Sequence, residues 1–428
     1  MKKVLCATLG TRGDVQPFVC VGKALADRGH DVELMVPRNG EGMVRAAGLR
    51  LRTLPCDVQA MLRSEEAESM LASGRITTFF RWYYKQQEAF AEEMWKVALE
   101  ASESVDLIVC GAFLDAGCRA IGKARDIPVL PVHLFPHASS RTYASALLPQ
   151  RNLGPLARTR FVHELPLRPA WRLGREDLTA LHRELGLAPP SWRFWMDGFS
   201  GRVPSLQCYS QALFPRPADW LPSLQPAGFL QPWPELRARF GDVGIPAELE
   251  SWLEAGPPPV FLGFGSMPVL DHEAMLGAVR TALDALGMRG ILAVGWSELS
   301  AAGDEKLFVI DEVNHQNLLP RCAAAVHHGG AGTTAASLAA GVPTLICSVM
   351  ADQPFWGARC RRLGIGETMP FPKLDARRLT DGLRTVLDPQ VATRARAVGR
   401  RLAGEDGVGA AIERIEHFTA AGDLLQAA

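Results

Sequence analysis

His327-His328-Gly329-Gly330-Ala331-Gly332-Thr333-Thr334 follows an apolar, strand-like run at residues 323–326 and leads into a helical pattern at 335–340. Glycines at 329, 330 and 332 let the backbone approach a ligand closely. The helix behind them presents unpaired N–H groups and a positive dipole end. Together these features predict a seat for a diphosphate. The phosphate loop of nucleoside triphosphatases needs a Lys that is missing here, and the dinucleotide fingerprint spaces its glycines as G-x-G-x-x-G. The paired imidazoles suggest that a departing diphosphate is held by His donors and not by a metal. The competing reading is a tight turn with core histidines.

One strand later comes Met350-Ala351-Asp352-Gln353-Pro354-Phe355-Trp356-Gly357, ahead of a new helix. A carboxylate beside an amide offers acceptors together with a group that both gives and takes hydrogen bonds, which the vicinal hydroxyls of a hexose require. Asp352 as a plain helix N-cap is the alternative. Short apolar runs at 4–9, 31–36, 106–110 and 129–132 alternate with helical patterns. Similar runs restart after a Pro-rich stretch, at 260–264, 290–294, 307–310, 324–327 and 344–347. Such runs suit strands buried on both faces of a parallel sheet. They predict an α/β chain of two doubly wound units: a domain at 1–221, a linker at 222–235, a second domain at 236–408 and a last helix in 409–428.

Composition narrows the partners. Among 428 residues, 46 basic and 46 acidic side chains cancel, whereas a nucleic-acid binder would carry a basic excess. Nine cysteines with no C-x-x-C pair read as free thiols in a reducing compartment, so a cytoplasmic location is expected. No apolar run approaches the ~20 residues of a membrane span. The run after Met1-Lys2-Lys3 is short and enters a βα turn directly, which is the wrong shape for a cleaved leader.

Four motifs stand in order: Gly10-Thr11-Arg12-Gly13-Asp14-Val15-Gln16-Pro17, Gly263-Phe264-Gly265-Ser266-Met267, the His327 octet and Asp352-Gln353. In this the chain resembles family 1 glycosyltransferases of the GT-B fold. The likeness is greatest to the branch of sterol glucosyltransferases, glycopeptide-antibiotic glycosyltransferases and the rhamnolipid rhamnosyltransferase. It implies two Rossmann-like domains facing each other across a cleft, with the last helix crossing back to the first domain. It also implies an inverting, metal-independent transfer from a UDP- or dTDP-sugar, with no cofactor. No D-x-D occurs in the chain, so the carboxylate pair of a metal-dependent donor site is missing.

The resemblance carries roles to particular residues. Asp14 stands where plant and macrolide members have a histidine base, since Gly-His-x-x-Pro aligns with Gly13-Asp14-Val15-Gln16-Pro17. The aspartate that orients that histidine is replaced by Gly111, and a carboxylate base needs no such partner. Asp115 is the fallback base. His327 is expected to contact the diphosphate, helped by Ser266, His328, Gly329, Gly330, Gly332 and Thr333. Trp296, Val313 and His315 fall where the nucleotide base is held, and Asp352 and Gln353 where the sugar is gripped.

The acceptor is expected against Arg12, Phe79, Tyr83, His133 and His137. Residues 79–95 are unusually aromatic, and positions 79, 83, 90 and 94 share one face if the segment is a single helix. A core stripe is the plainer reading, but the apolar surface exceeds what one face requires. Trp171, Trp192, Phe194 and Trp195 form a second cluster that would serve as another wall. Both point to an apolar or aromatic small-molecule acceptor of the natural-product kind. Weak contact of this surface with a membrane stays open. The Asp-Gln pair favours a sugar with its hydroxyls present, hence UDP-glucose ahead of a dTDP-sugar. A nucleotide-sugar 2-epimerase of the same plan and a non-catalytic homologue remain as alternatives.

Overall fold

The computed structural model describes residues 1–420 apart from 149, 151–158, 160, 242–243, 265–271, 295–302 and 312–313. Two six-stranded sheets organise them. The first contains β1 (Lys3–Ala7), β2 (Asp31–Pro37), β3 (Arg50–Leu54), β4 (Leu107–Gly111), β5 (Val129–His133) and β6 (Leu206–Gln207), in the order β3-β2-β1-β4-β5-β6. The second contains β7 (Val260–Gly263), β8 (Gly290–Ala293), β9 (Leu307–Ile310), β10 (Ala324–His327), β11 (Thr344–Ser348) and β12 (Gly366–Pro370), in the order β12-β11-β10-β7-β8-β9. Every ladder between these strands is parallel. Counted from its own first strand, each sheet has the same order, so these are two doubly wound, Rossmann-like domains.

The central strands are apolar throughout because both faces are covered. Along β1 and β4, Val4, Cys6, Leu107 and Val109 enter one core, while Leu5, Ala7, Ile108 and Cys110 enter the other. This two-residue alternation divides each strand between two helix layers. β3, β6 and β12 were not apparent as apolar runs. All three lie at sheet edges, where one neighbour is lacking and a polar sequence such as Arg50-Leu51-Arg52-Thr53-Leu54 is tolerated.

Helix Gly407–Ala420 buries Ala411, Ile412 and Ile415 in the core of the first sheet, and its Glu416 pairs with Arg28 at 2.7 Å. Leu230 and Leu236 enter the same core. All nine cysteines are buried and unpaired. Among the described residues, no helix is long and apolar enough to cross a membrane.

Two local expectations are corrected. The first helix spans Arg12–Asp27 with Pro17 inside it, so Asp14 sits in a helical turn and not in a loop. The aromatic segment is two helices, Ile76–Glu88 and Ala91–Ala101, with Phe90 at the break. Phe79 and Tyr83 therefore do not share a face with Phe90 and Met94. One cluster joins Leu9 and this insertion (Phe80, Trp82, Tyr83) to Val349 and Met350 of the second domain. The insertion thus closes over the crevice between the domains.

Candidate active site

In a doubly wound sheet the crevice opens where the first and fourth strands diverge, because their crossovers leave on opposite faces. That point lies between β1 and β4 in the first domain and between β7 and β10 in the second. β1 delivers Gly10 to Asp14, and β10 delivers the glycine loop. Gly329 has φ +93°, and a Cβ there would lie 2.5 Å from Ile346 Cγ2, so only glycine fits. Gly330 is the N-cap of helix Ala331–Ala339, with no side chain capping it. The first-turn N–H groups are therefore left for a ligand. Gly332 is exposed, and a Cβ there would meet nothing within 4 Å.

Three imidazoles gather at this loop. His327 is fully buried; its Nδ1 accepts from Gly329 N–H at 3.0 Å and its Nε2 lies 2.6 Å from Thr344 Oγ1. Nδ1 is an acceptor, so the proton is on Nε2 and donates to Thr344. Both of its nitrogens are engaged in stapling the loop to β11. His328 packs its ring on Gly330, where a Cβ would lie 2.5 Å from Nε2, and its Nδ1 is buried without a partner. His315 opens helix His315–Leu318 and meets Phe261 edge-on at 5.3 Å. Burial pushes His315 and His328 down to about 4, and His327 well below the usual range. Repulsion from neighbouring rings adds to the shifts of His327 and His328, and from Arg12 to that of His315, so all three rings are neutral at pH 7 and His315 and His328 each keep an N–H to donate.

Arg12 is exposed, and its charge is near enough to depress His315 of the second domain.

Two carboxylates face the same space. Asp14 Oδ2 accepts from Thr11 N–H at 2.9 Å, and burial outweighs the Thr11 bonds to push its pKa up to about 6. Gly10, at φ +148°, must be glycine, because a Cβ would run into that carboxylate. Asp352 precedes helix Gln353–Leu363 without capping it with its side chain; its Oδ2 accepts from Trp356 Nε1 at 2.7 Å. Burial raises Asp352 to about 6 as well, and the negative charge of Asp14 adds to the rise. The two acids thus sense each other across the domain boundary. Ala351 holds φ +55°, a left-handed conformation costly for a residue with a Cβ, immediately before Asp352. Gln353 Oε1 accepts from Val349 N–H at 2.8 Å and Met350 N–H at 3.3 Å, so its carbonyl holds the turn and a ligand would meet its NH2.

On the first domain's side, the Tyr83 ring lies 4.7 Å from Phe113 and 6.0 Å from Phe79. Phe113, just past β4, is 38% exposed and went unnoticed in the sequence, although its place at a central strand end was the available signal. His133 ends β5, stacked 4.8 Å from His137, which packs 4.6 Å from Phe199. Burial lowers His133 to about 4 and holds His137 well below the usual range. Asp115 is 1% exposed and bound through both oxygens to Arg119 at 2.8 Å, so it is no free base. Trp171, Trp192 and Trp195 pack on one another at 5.7–6.2 Å. Ser266, Trp296 and Val313 lie outside the described residues.

Comparison with known proteins agrees with this geometry. Residues 4–121 match the glycosyltransferase family 28 N-terminal domain, and residues 297–407 match the erythromycin biosynthesis protein CIII-like C-terminal domain. The chain is 33% identical over 423 residues to O-mycaminosyltylonolide 6-deoxyallosyltransferase of Streptomyces fradiae, covering 97% of each. It is 32% identical over 419 residues to sterol 3-beta-glucosyltransferase UGT80A2 of Arabidopsis thaliana, covering 96% of this chain but only 64% of that protein's length. Among solved structures, the kitacinnamycin glycosyltransferase superposes with TM-score 0.69 at 20% identity, covering 97% of this chain and 98% of that one. The glycosyltransferase VinC, in complex with dTDP, gives 0.63 at 18% identity, covering 97% and 98%. At such identities the structural likeness is one of fold.

Proposed function

The chain belongs to the glycosyltransferase family of these relatives, and on that footing we propose that it moves a hexose from a nucleoside diphosphate sugar to a hydroxyl of an apolar small molecule. The observation that carries this reading is the pair Asp14 and Asp352, one from each domain and near enough for the charge of Asp14 to raise the Asp352 carboxyl, with the glycine loop packed at Gly329 against Gln353. Asp14 takes the proton of the acceptor hydroxyl as its oxygen bonds to the anomeric carbon. On the opposite face the bond from that carbon to the diphosphate breaks, so the configuration inverts. The departing charge falls to the N–H groups of Ala331, Gly332 and Thr333, with His328 and Arg12 as side-chain donors. His327 positions this loop through Thr344. Asp352 and the Gln353 NH2 hold the sugar hydroxyls.

Neutralisation by these groups makes a metal unnecessary to the proposal. A gluco-configured sugar suits the Asp-Gln pair, which favours UDP-glucose; the dTDP bound by VinC keeps a dTDP-sugar as the second donor. The proposed division is 1–221 for the acceptor domain, 222–235 for the linker and 236–408 for the donor domain, with 409–428 returning to the first.

Calorimetric titration in EDTA with UDP, dTDP, GDP and NAD tests the donor site. Binding of UDP or dTDP is expected, and binding of NAD alone would overturn the reading. Labelled donor incubated without acceptor must remain unconverted, since conversion alone marks an epimerase.

A further inference from the structure

Tyr83 carries a hydroxyl that has no hydrogen-bond partner among the described residues, although the residue is only 7% exposed. A buried hydroxyl left unpaired is unfavourable and uncommon in native structures, and it calls for a partner that arrives from outside. The setting shows what that partner meets. Around Tyr83 are Phe79, Phe113 and the edge of Tyr84, 5.2 Å away, so the wall is aromatic. Leu9, next to the Asp14 turn, and Val349 and Met350, next to Asp352, belong to the same packed cluster. Gly74, in the turn before the Tyr83 helix, comes within 3.4 Å of the Val349 carbonyl, measured from the Cβ it lacks. Tyr83 therefore lies in a cluster that reaches the flank of each carboxylate, Leu9 on the Asp14 side and Val349 and Met350 on the Asp352 side. Burial, helped by Tyr84, Cys56 and Asp14, holds its phenol well above the usual range, so the hydroxyl keeps its proton and donates.

We infer that Tyr83 is a positioning and specificity-determining residue that donates to a second oxygen of the acceptor, adjacent to the hydroxyl that is glycosylated. The nucleophilic oxygen itself is a poor target, because accepting a strong hydrogen bond would draw off the lone pair aimed at the anomeric carbon. A neighbouring hydroxyl, carbonyl or ether oxygen satisfies Tyr83 and leaves that lone pair free, while Asp14 accepts the proton. The acceptor class is thus an apolar, ring-containing molecule with vicinal oxygens, as distinct from a hydrocarbon with a single isolated hydroxyl. This inference rests on the glycosyl-transfer reading above.

The test pairs 1,2-dihydroxyanthraquinone with 2-hydroxyanthraquinone as acceptors, with UDP-glucose and dTDP-glucose as donors, on the full chain and on Tyr83→Phe. Wild-type enzyme is expected to favour the diol about five- to tenfold in kcat/KM, the worth of one hydrogen bond. Tyr83→Phe should bring the two acceptors level through a raised KM for the diol, with nucleotide affinity as in wild type. Phenylalanine fits the same space and removes the orphan hydroxyl, so the ligand-free variant should melt about 2–4 °C higher. A preference that survives in Tyr83→Phe, or a lower melting temperature, overturns the inference. Wild-type enzyme that binds UDP or dTDP but glycosylates neither anthraquinone overturns the acceptor class. Failure to bind either nucleotide overturns the underlying reading instead.

Discussion

Replacing Asp14 with Asn separates its chemical role from its structural one, because the two have opposite signs. The folded pKa of about 6, against an ordinary 3.8, is a rise of about 2 units. At about 1.4 kcal/mol per unit, an ionised Asp14 costs the folded state at most about 3 kcal/mol. The pKa is raised on folding, so the contribution of this carboxyl to stability is fully present below pH 3.8 and is lost as pH rises through 6. Asn keeps an acceptor for the Thr11 N–H, now at 2.9 Å, without the charge. Urea melts should show the variant near wild type at pH 4 and about 1–3 kcal/mol more stable at pH 8.

Activity should run the other way. Wild-type transfer is expected to climb through pH 6 to a plateau, and the variant to lose about 10²–10⁴-fold, the range of a positioned general base. Asp352 titrates in the same region and interacts with Asp14, so the rising limb belongs to the pair. Removing the Asp352 charge should shift what activity remains to lower pH. Full activity in Asp14→Asn refutes the base assignment. A stability gap that stays flat from pH 4 to 8 refutes the burial argument.

The remaining expectations separate holding the loop from holding the donor. His327→Ala should cost about 2–4 kcal/mol, because a fully buried ring and its bonds to Gly329 and Thr344 are lost; His328→Ala should leave thermal stability nearly unchanged and weaken UDP or dTDP binding about tenfold by calorimetry. Gly332→Ala meets no neighbour within 4 Å, so the fold should survive, with up to ~1 kcal/mol gained in helix propensity. Its methyl fills room meant for phosphate, so nucleotide affinity should fall; unchanged affinity would place the diphosphate elsewhere. Asp115→Asn strands the buried Arg119 and should destabilise by about 3–5 kcal/mol in denaturant melts without moving the pH profile.

The central strands were legible because burial on both faces leaves an unbroken apolar run, as in Leu107-Ile108-Val109-Cys110-Gly111. β3, β6 and β12 were not, since an edge strand needs no such run. The glycine loop could be read from spacing, but which of its histidines faces outward could not. That depends on Thr344, 17 residues away, whose hydroxyl captures His327. The nearness of Arg12 to His315 was hidden for a similar reason: the two lie in different domains, and no local pattern reports on it. Asp115, the fallback base, is tied through both oxygens to Arg119 one helical turn later. The Asp352–Trp356 bond, at a spacing of four, was within reach of the sequence.

Several features that break local rules lie at the crevice. Ala351 takes a conformation suited to glycine, Asp14 and Asp352 are acids held where ionisation is costly, and Tyr83 and His328 bury polar atoms with no partner. Each lowers the stability of the free protein, and each is a group that a bound sugar, diphosphate or acceptor would satisfy. Strain of this kind where ligands enter is the pattern expected when binding supplies the missing interactions. It also sets a direction for the ligand-bound state. Occupation of the donor side neutralises the loop around His328 and brings sugar hydroxyls to Asp352, which lowers the cost of its charge. A stabilised Asp352 carboxylate stays ionised, and its charge opposes ionisation of Asp14 until a proton donor sits between them. In the proposed mechanism, donor binding would therefore keep Asp14 a stronger base than a free carboxyl, ready for an acceptor hydroxyl held beside Tyr83.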